Sequence, residues 1–268
     1  MAAIALHLDH RPAETPLVLL PPFPFDARFW DAVRALLTDL PVVVADPPGF
    51  GDSAAPAELA QSVGEEETPA LTIYARGIAA ALDELGVERI VLAGLSIGGY
   101  SAMAFAELFP QRLAGIGLLD TAAEEDPEQK KADRREMADT VESGEDPGEI
   151  LLESLPNMVS AATLEEREDV TSTLKGWYAE APAAGVIWSQ RAMANRPGRL
   201  QVLRGLDIPA LVVRGAEDAV SSAESAEAMA SALGTNVVEI PDAGHLSGVE
   251  APGAVAAALR DLWERAVR

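Results

Sequence analysis

Short apolar runs recur along the chain, each rich in Val, Ile or Leu and bounded by Pro, Gly or Asp: Leu17 to Leu20, Val42 to Ala45, Ile90 to Ala93, Ile116 to Leu119, Leu211 to Val213 and Val237 to Ile240. Runs of this length without polar alternation predict strands buried on both faces. Between them, apolar residues return at helical spacing around Phe29, Trp30, Val33 and Leu37, along Leu71, Ala75, Ile78 and Leu82, and from Ala254 through Leu259 to Trp263. Strands alternating with helices predict an α/β fold, a mainly parallel sheet with helices on both sides. Ile4 to Leu8 is expected to add an antiparallel edge, and Ser53 to Glu67, rich in Ala, Pro and Glu, reads as a surface loop.

The alternation fails once. After the run ending at Asp120 a polar, mostly helical stretch continues to about Gly205, too long for one crossover helix. It holds a charged helix-like run (Glu124 to Glu142), a Gly/Pro break (Gly144 to Gly148) and two later helical pieces carrying Trp177, Tyr178, Trp188 and Met193. The expectation is a core made of residues 1–120 and 206–268, with residues 121–205 inserted as a helical lid. Such a lid would lie over the carboxyl edge of the sheet, where open α/β sheets place their ligands.

Composition narrows the function classes. With 268 residues, 49% of them hydrophobic, the chain can bury a sizeable core. The absence of cysteine rules out a thiol nucleophile, thiolate metal sites and disulfides. Met1 to Pro12 lacks a basic leader, and no apolar run is long enough to span a bilayer, so a cytoplasmic protein is the default expectation. A formal charge of -23 argues against nucleic acid and anionic membranes as partners, leaving a small molecule. It speaks to solvation more than to fold.

Candidate chemistry gathers after three of the strands. Gly94-Leu95-Ser96-Ile97-Gly98 follows one apolar strand and opens the helical run Tyr100 to Leu108. A nucleophile on so sharp a turn needs small neighbours, and the turn aims the Ile97 N–H at any oxyanion formed on the substrate. A serine needs a base to take its proton. Of the three histidines, His7 and His10 fall in the N-terminal strand and turn, where surface or edge packing is expected. His245, in Asp242-Ala243-Gly244-His245-Leu246, follows the last strand and would open at the same sheet edge as Ser96. The carboxylate that orients it is expected to be Asp218, just beyond Leu211 to Val213, with Asp120 as rival; Glu217 and Asp242 read as loop charges or a helix cap. No phosphate loop is present, neither N-terminal histidine has a second ligand at metal-like spacing, and no metal or cofactor is implied.

Together these residues resemble the lid-bearing α/β-hydrolase superfamily over nearly the whole chain, bacterial esterases, enol-lactonases and perhydrolase-like members among them. Asp46-Pro47-Pro48-Gly49-Phe50-Gly51-Asp52-Ser53 is similar to the family's Asp-x-x-Gly-x-Gly-x-Ser turn, and Leu19-Leu20-Pro21-Pro22-Phe23-Pro24 aligns with its oxyanion loop. The resemblance implies a Ser96–His245–Asp218 triad and an oxyanion hole formed by the N–H groups of Phe23 and Ile97. Pro21 and Pro22 replace the family's usual His and Gly; proline removes only its own N–H, so Phe23 keeps its donor. The implied activity is hydrolysis of a carboxylic ester or lactone through an acyl-enzyme. The same triad could serve C–C cleavage or perhydrolysis, and a non-catalytic ligand-binding protein is the alternative from another class. Trp177, Tyr178, Trp188 and Met193 are candidates for the pocket, or else helix-packing anchors. That apolar lining favours uncharged acyl groups, unless Arg191, Arg196 or Arg199 turns inward to meet a carboxylate.

Overall fold

A computed structural model describes residues 3–8 and 15–268. Seven strands form one sheet: β1 (Leu6–Leu8), β2 (Leu17–Leu20), β3 (Val42–Ala45), β4 (Ile90–Leu95), β5 (Leu113–Leu119), β6 (Ala210–Gly215) and β7 (Val237–Ile240), in the order β1-β3-β2-β4-β5-β6-β7. All neighbours pair in parallel except β1, which runs antiparallel along β3 with Leu6 opposite Ala45.

The six apolar runs are all strands, yet they are not all buried on both faces. Central β2, β4 and β5 are buried at every position. In β7 only Ile240 is buried, Val238 being 41% exposed. An edge strand has one neighbour, so the covering that makes a central strand uniformly apolar is missing there. Each central Val, Leu or Ile removed from water contributes roughly 1.5–3 kcal/mol. Those strands therefore fix the frame that holds the loops at their carboxyl ends.

Helices lie on both faces. Leu71–Glu84 and Ile97–Leu108 pack in one apolar cluster, and Pro252–Ala266 packs in the other through Val255, Leu259 and Leu262. The pattern around Phe29 becomes a 3-10 turn (Ala27–Trp30) running into the short helix Asp31–Arg34, opened by the Asp26 side chain on the Arg28 N–H. The stretch Ser53 to Glu67, expected as loop, contains the helix Pro56–Ser62. Proline is suited to a helix's first turn, Leu59 and Ala60 are buried, and the Ala and Glu that suggested a solvated loop are also strong helix formers.

Between β5 and β6 the chain is helical: Glu128–Glu142, Pro147–Leu152, Leu155–Met158, Ala161–Glu166, Glu168–Ala179, Ala183–Ala194 and Leu200–Arg204. The first begins four residues later than the charge pattern suggested, after Pro127, and packs along Ala183–Ala194. No helix among the described residues is long and apolar enough to cross a membrane.

Candidate active site

The turn after β4 carries a serine in a backbone conformation that serine rarely adopts, φ 56° and ψ −118°. Such a conformation costs about 1–3 kcal/mol and persists only where its surroundings impose it. Here the Ser96 N–H donates to the Leu119 carbonyl at 3.0 Å, and the Thr121 hydroxyl donates to the Ser96 carbonyl at 2.8 Å, tying the turn to the end of β5. A Cβ on Gly94 would overlap the Gly98 carbonyl, and one on Gly98 would overlap the Leu20 carbonyl. The glycines are thus required by close backbone approach on both sides of Ser96. Among the described residues neither the Ile97 nor the Phe23 N–H finds an acceptor, so both donors are free.

His245 sits in the loop after β7 and is 1% exposed. Its Nδ1 is 3.0 Å from both carboxylate oxygens of Asp218, which follows β6. Asp218 also accepts from the Val220 N–H at 2.8 Å, the Ser221 N–H at 3.1 Å and the Ser221 hydroxyl. Burial alone would raise this carboxyl, but the bonds from His245 and Ser221 hold it below the usual aspartate range. The bond to Asp218 occupies Nδ1, leaving the buried Nε2 without a hydrogen-bond partner among the described residues. Ser96 and His245 line the same cavity, about 270 Å³ in volume.

Asp120 is placed differently. Fully buried with φ 44°, it accepts from the Gly215 N–H at 2.7 Å and from the Ser247 hydroxyl, and makes no hydrogen bond to the imidazole. Burial first, and the neighbouring Asp218 charge second, push its pKa from 3.8 up to about 7. Asp120 thus ties the end of β6 to the segment just after the histidine, while Asp218 holds the ring. Glu217, exposed as expected, caps the Ala161 N–H at 3.0 Å, and Asp242 lies exposed at φ 55°.

Sequence spacing gave no sign of Glu250. Buried, it accepts from the Gly244 N–H at 2.9 Å and from the Ser160 N–H at 2.8 Å. Leu246 N–H also donates to Met158, at 3.2 Å, so the histidine loop is bound to the helical segment at two points. The partners lie 90 and 6 residues from Glu250, and only the folded chain brings them together.

The aromatic and methionine candidates divide. Tyr178 and Met193 line the cavity with Ser96. Trp177 instead borders surface clefts with Phe25 and Arg28, and Trp188 is 5% exposed within the helix-packing cluster; neither lines the cavity. None of the three arginines singled out turns inward. Arg191 pairs with Asp139 and Glu142, Arg199 with Glu107, and Arg196 with Asp126 while its guanidinium lies 3.9 Å from the Tyr100 ring centre. The cavity wall holds two other cations, Lys130 and Arg134 on the helix Glu128–Glu142. An all-apolar lining is therefore wrong: these residues, four apart on a charged helix, read as a solvated face until the fold turns them to the cavity.

His7, expected in edge packing, lies in β1 with Nε2 2.6 Å from Asp46; His10 lies outside the described residues. His7, Asp46 and Asp52 place potential ligand atoms within 4.8 Å of one another, a grouping that linear spacing did not reveal. Asp46 is, however, already engaged by the Ala27 N–H at 2.7 Å and the Asp52 N–H at 2.9 Å besides His7, which makes it the anchor of its turn.

A family model described as "Alpha/beta hydrolase family" matches residues 17–258. The chain is 31% identical over 258 residues to a 2-succinyl-6-hydroxy-2,4-cyclohexadiene-1-carboxylate synthase of Enterobacter sp. (strain 638), covering 92% of this chain and 90% of that protein. Its fold superposes on a thermophilic, malate-bound esterase of Thermogutta terrifontis with TM-score 0.89 and 34% identity, over 98% of this chain and 93% of the other. It also superposes on the enol-lactonase of Burkholderia xenovorans LB400 with TM-score 0.83 and 22% identity, over 97% and 96%, a likeness of fold.

Proposed function

Because the chain belongs to the alpha/beta hydrolase family, we propose that it is a serine hydrolase that cleaves a carboxylic ester or lactone through an acyl-enzyme. One observation carries the reading. A buried imidazole, held at Nδ1 by Asp218, keeps Nε2 unpartnered in the cavity that Ser96 lines. The bond to Asp218 favours the tautomer with the proton on Nδ1, so Nε2 is the acceptor that a serine hydroxyl requires.

The steps follow. Ser96 Oγ attacks the substrate carbonyl as its proton passes to His245 Nε2, and the Phe23 and Ile97 N–H groups receive the oxyanion. Collapse of the tetrahedral intermediate breaks the ester bond, and His245 gives its proton to the departing alkoxide, or to the ring oxygen of a lactone. Water, deprotonated by His245, then attacks the acyl-serine; as the acyl C–O bond breaks, His245 gives that proton to Ser96 Oγ, releasing the carboxylic acid and restoring the free serine. Asp218 stabilises the imidazolium during both halves. The helical segment between β5 and β6 acts as a lid that closes the cavity over Ser96. The named esterase, at 34% identity, supports ester chemistry as the reading for this chain.

The test pairs a fluorophosphonate probe with a panel of esters, lactones and thioesters of graded length. A covalent label on Ser96, absent from Ser96→Ala, together with ester or lactone turnover that falls by about 10⁴-fold or more in that variant, is expected. Turnover retained within a few-fold by Ser96→Ala would overturn the mechanism, and product analysis separates hydrolysis from C–C cleavage or perhydrolysis.

A further inference from the structure

The cavity beside Ser96 has a charged wall that the hydrolytic steps do not use. Among the described residues one carboxylate, Asp126, is bonded to it from behind the cavity lining. Its Oδ1 accepts from Arg196 Nη2 at 2.8 Å and lies 3.8 Å from Lys130 Nζ; its Oδ2 accepts from Arg134 Nε at 2.7 Å. One carboxylate thus faces three cations. Two of them, Lys130 and Arg134, line the cavity, while Arg196 is sealed behind Tyr100. Lys130 Nζ makes no hydrogen bond among the described residues. Arg134 uses Nη1 on Gln190, at 3.3 Å, and on Met193, leaving Nη2 without a bonded partner among them.

In a chain of formal charge -23 this local excess of positive charge is out of keeping with the surface. Like charges packed together at a half-buried wall are unfavourable: burial first and the neighbouring Arg134 second lower the Lys130 pKa, and Asp126 opposes them only in part. The attraction of an anion seated between them offsets both effects. Asp126 meets this need only in part: its Oδ1 stands 3.8 Å from Lys130 Nζ, beyond hydrogen-bond reach, and its single charge is shared among three cations.

We propose that Lys130 and Arg134 form a carboxylate-binding subsite, so that the favoured substrate is an ester or lactone bearing a free carboxylate some atoms away from the scissile carbonyl. The inference rests on the serine-hydrolase reading for turnover, but its binding half stands on the geometry of this wall. Long-range repulsion by the negative surface slows the approach of such a substrate, and the subsite acts after entry.

The experiment compares mono-p-nitrophenyl glutarate with p-nitrophenyl pentanoate, which has a methyl group in place of the carboxylate, corrected for uncatalysed hydrolysis. The parent is expected to show the higher kcat/KM for the half-ester, and Lys130→Met to lower the ratio of the two by at least about tenfold. Arg134 also bonds Asp126, so it is changed conservatively: Arg134→Lys is expected to lower the ratio by less, and Arg191→Met, a surface control, to preserve it. In parallel, glutarate is titrated calorimetrically into Ser96→Ala with and without Lys130→Met, with binding lost in the double variant. Turnover of both esters with a ratio unmoved by Lys130→Met overturns the subsite and leaves the hydrolase reading intact. Lysine-dependent glutarate binding without ester turnover supports the subsite and overturns the hydrolase reading. Failure of both measurements overturns both.

Discussion

The two sides of the cavity are built on different principles. On the sheet side, Ser96, His245 and Asp218 stand at the carboxyl ends of β4, β7 and β6, and the backbone itself places them: close-packed glycines, a positive φ at Ser96 and hydrogen bonds to neighbouring strand ends. On the opposite side, Lys130, Arg134, Tyr178 and Met193 project from helices between β5 and β6, positioned by side-chain packing and ion pairs. Where backbone approach sets the geometry, few sequences satisfy it and the chemistry is pinned. Where side chains set it, many sequences fill the same volume, and that side is where specificity can change without loss of the fold.

That contrast can be broken first at the sheet side, where effects should be largest. Asp218→Asn is expected to lower kcat by about 10³-fold or more, because an amide no longer fixes the imidazole tautomer. Asp120→Asn should cost less than about tenfold, since Asp120 touches Gly215 and Ser247 and not the ring. Single-turnover kinetics on both variants check the ranking. The reverse order would move the acid to Asp120.

The same two carboxylates should differ in sign when stability is followed against pH. The Asp218 pKa is lowered in the fold, so its contribution is present above the ordinary aspartate value and lost as pH falls through the folded value. The Asp120 pKa is raised from 3.8 to about 7, so the folded state keeps a proton that the unfolded chain has released between those values. Its contribution is therefore present below 3.8 and lost as pH rises toward 7, a change of order 4 kcal/mol at ~1.4 kcal/mol per unit. Denaturant unfolding between about pH 4 and 8 should show that decline in the parent and a flatter curve in Asp120→Asn. Identical slopes would mean that Asp120 ionises as an ordinary aspartate.

The helical side gives the smallest expected effect. Met193→Ala enlarges the cavity from that wall, and should raise kcat/KM for medium-chain relative to short-chain acyl esters by roughly five- to tenfold. A parallel fall across the whole ester series would indicate lost stability in place of altered selectivity.

The legibility of the sequence divides along the same line. The central strands were readable because burial on both faces leaves uninterrupted Val, Leu and Ile, and the elbow because five consecutive residues carry its whole geometry. The exposed face of β7, the helix Pro56–Ser62 and the inward face of Glu128–Glu142 were not readable, since each depends on what packs against it. Lys130 and Arg134 sit in a run of mixed charge that periodicity assigns to solvent. Trp177 and Trp188 are large and apolar wherever they point, so their composition could not tell a cavity from a packing seam. The bracing by Asp120 and Glu250 joins segments far apart in the chain, beyond the reach of local spacing.

The Glu250 carboxylate, gripping one amide of the histidine loop and one from the start of the Ala161–Glu166 helix, has a consequence for grafting. A foreign insertion that meets this fold at Ser160 with proline would lack the N–H that Glu250 needs, leaving a buried charge half-satisfied next to the loop that carries His245. Chimeras that exchange the helices should therefore keep Met158 to Ser160 from the host, and junctions cut on either side of that tripeptide would let those helices be replaced while the clasp on the histidine loop stays in the frame.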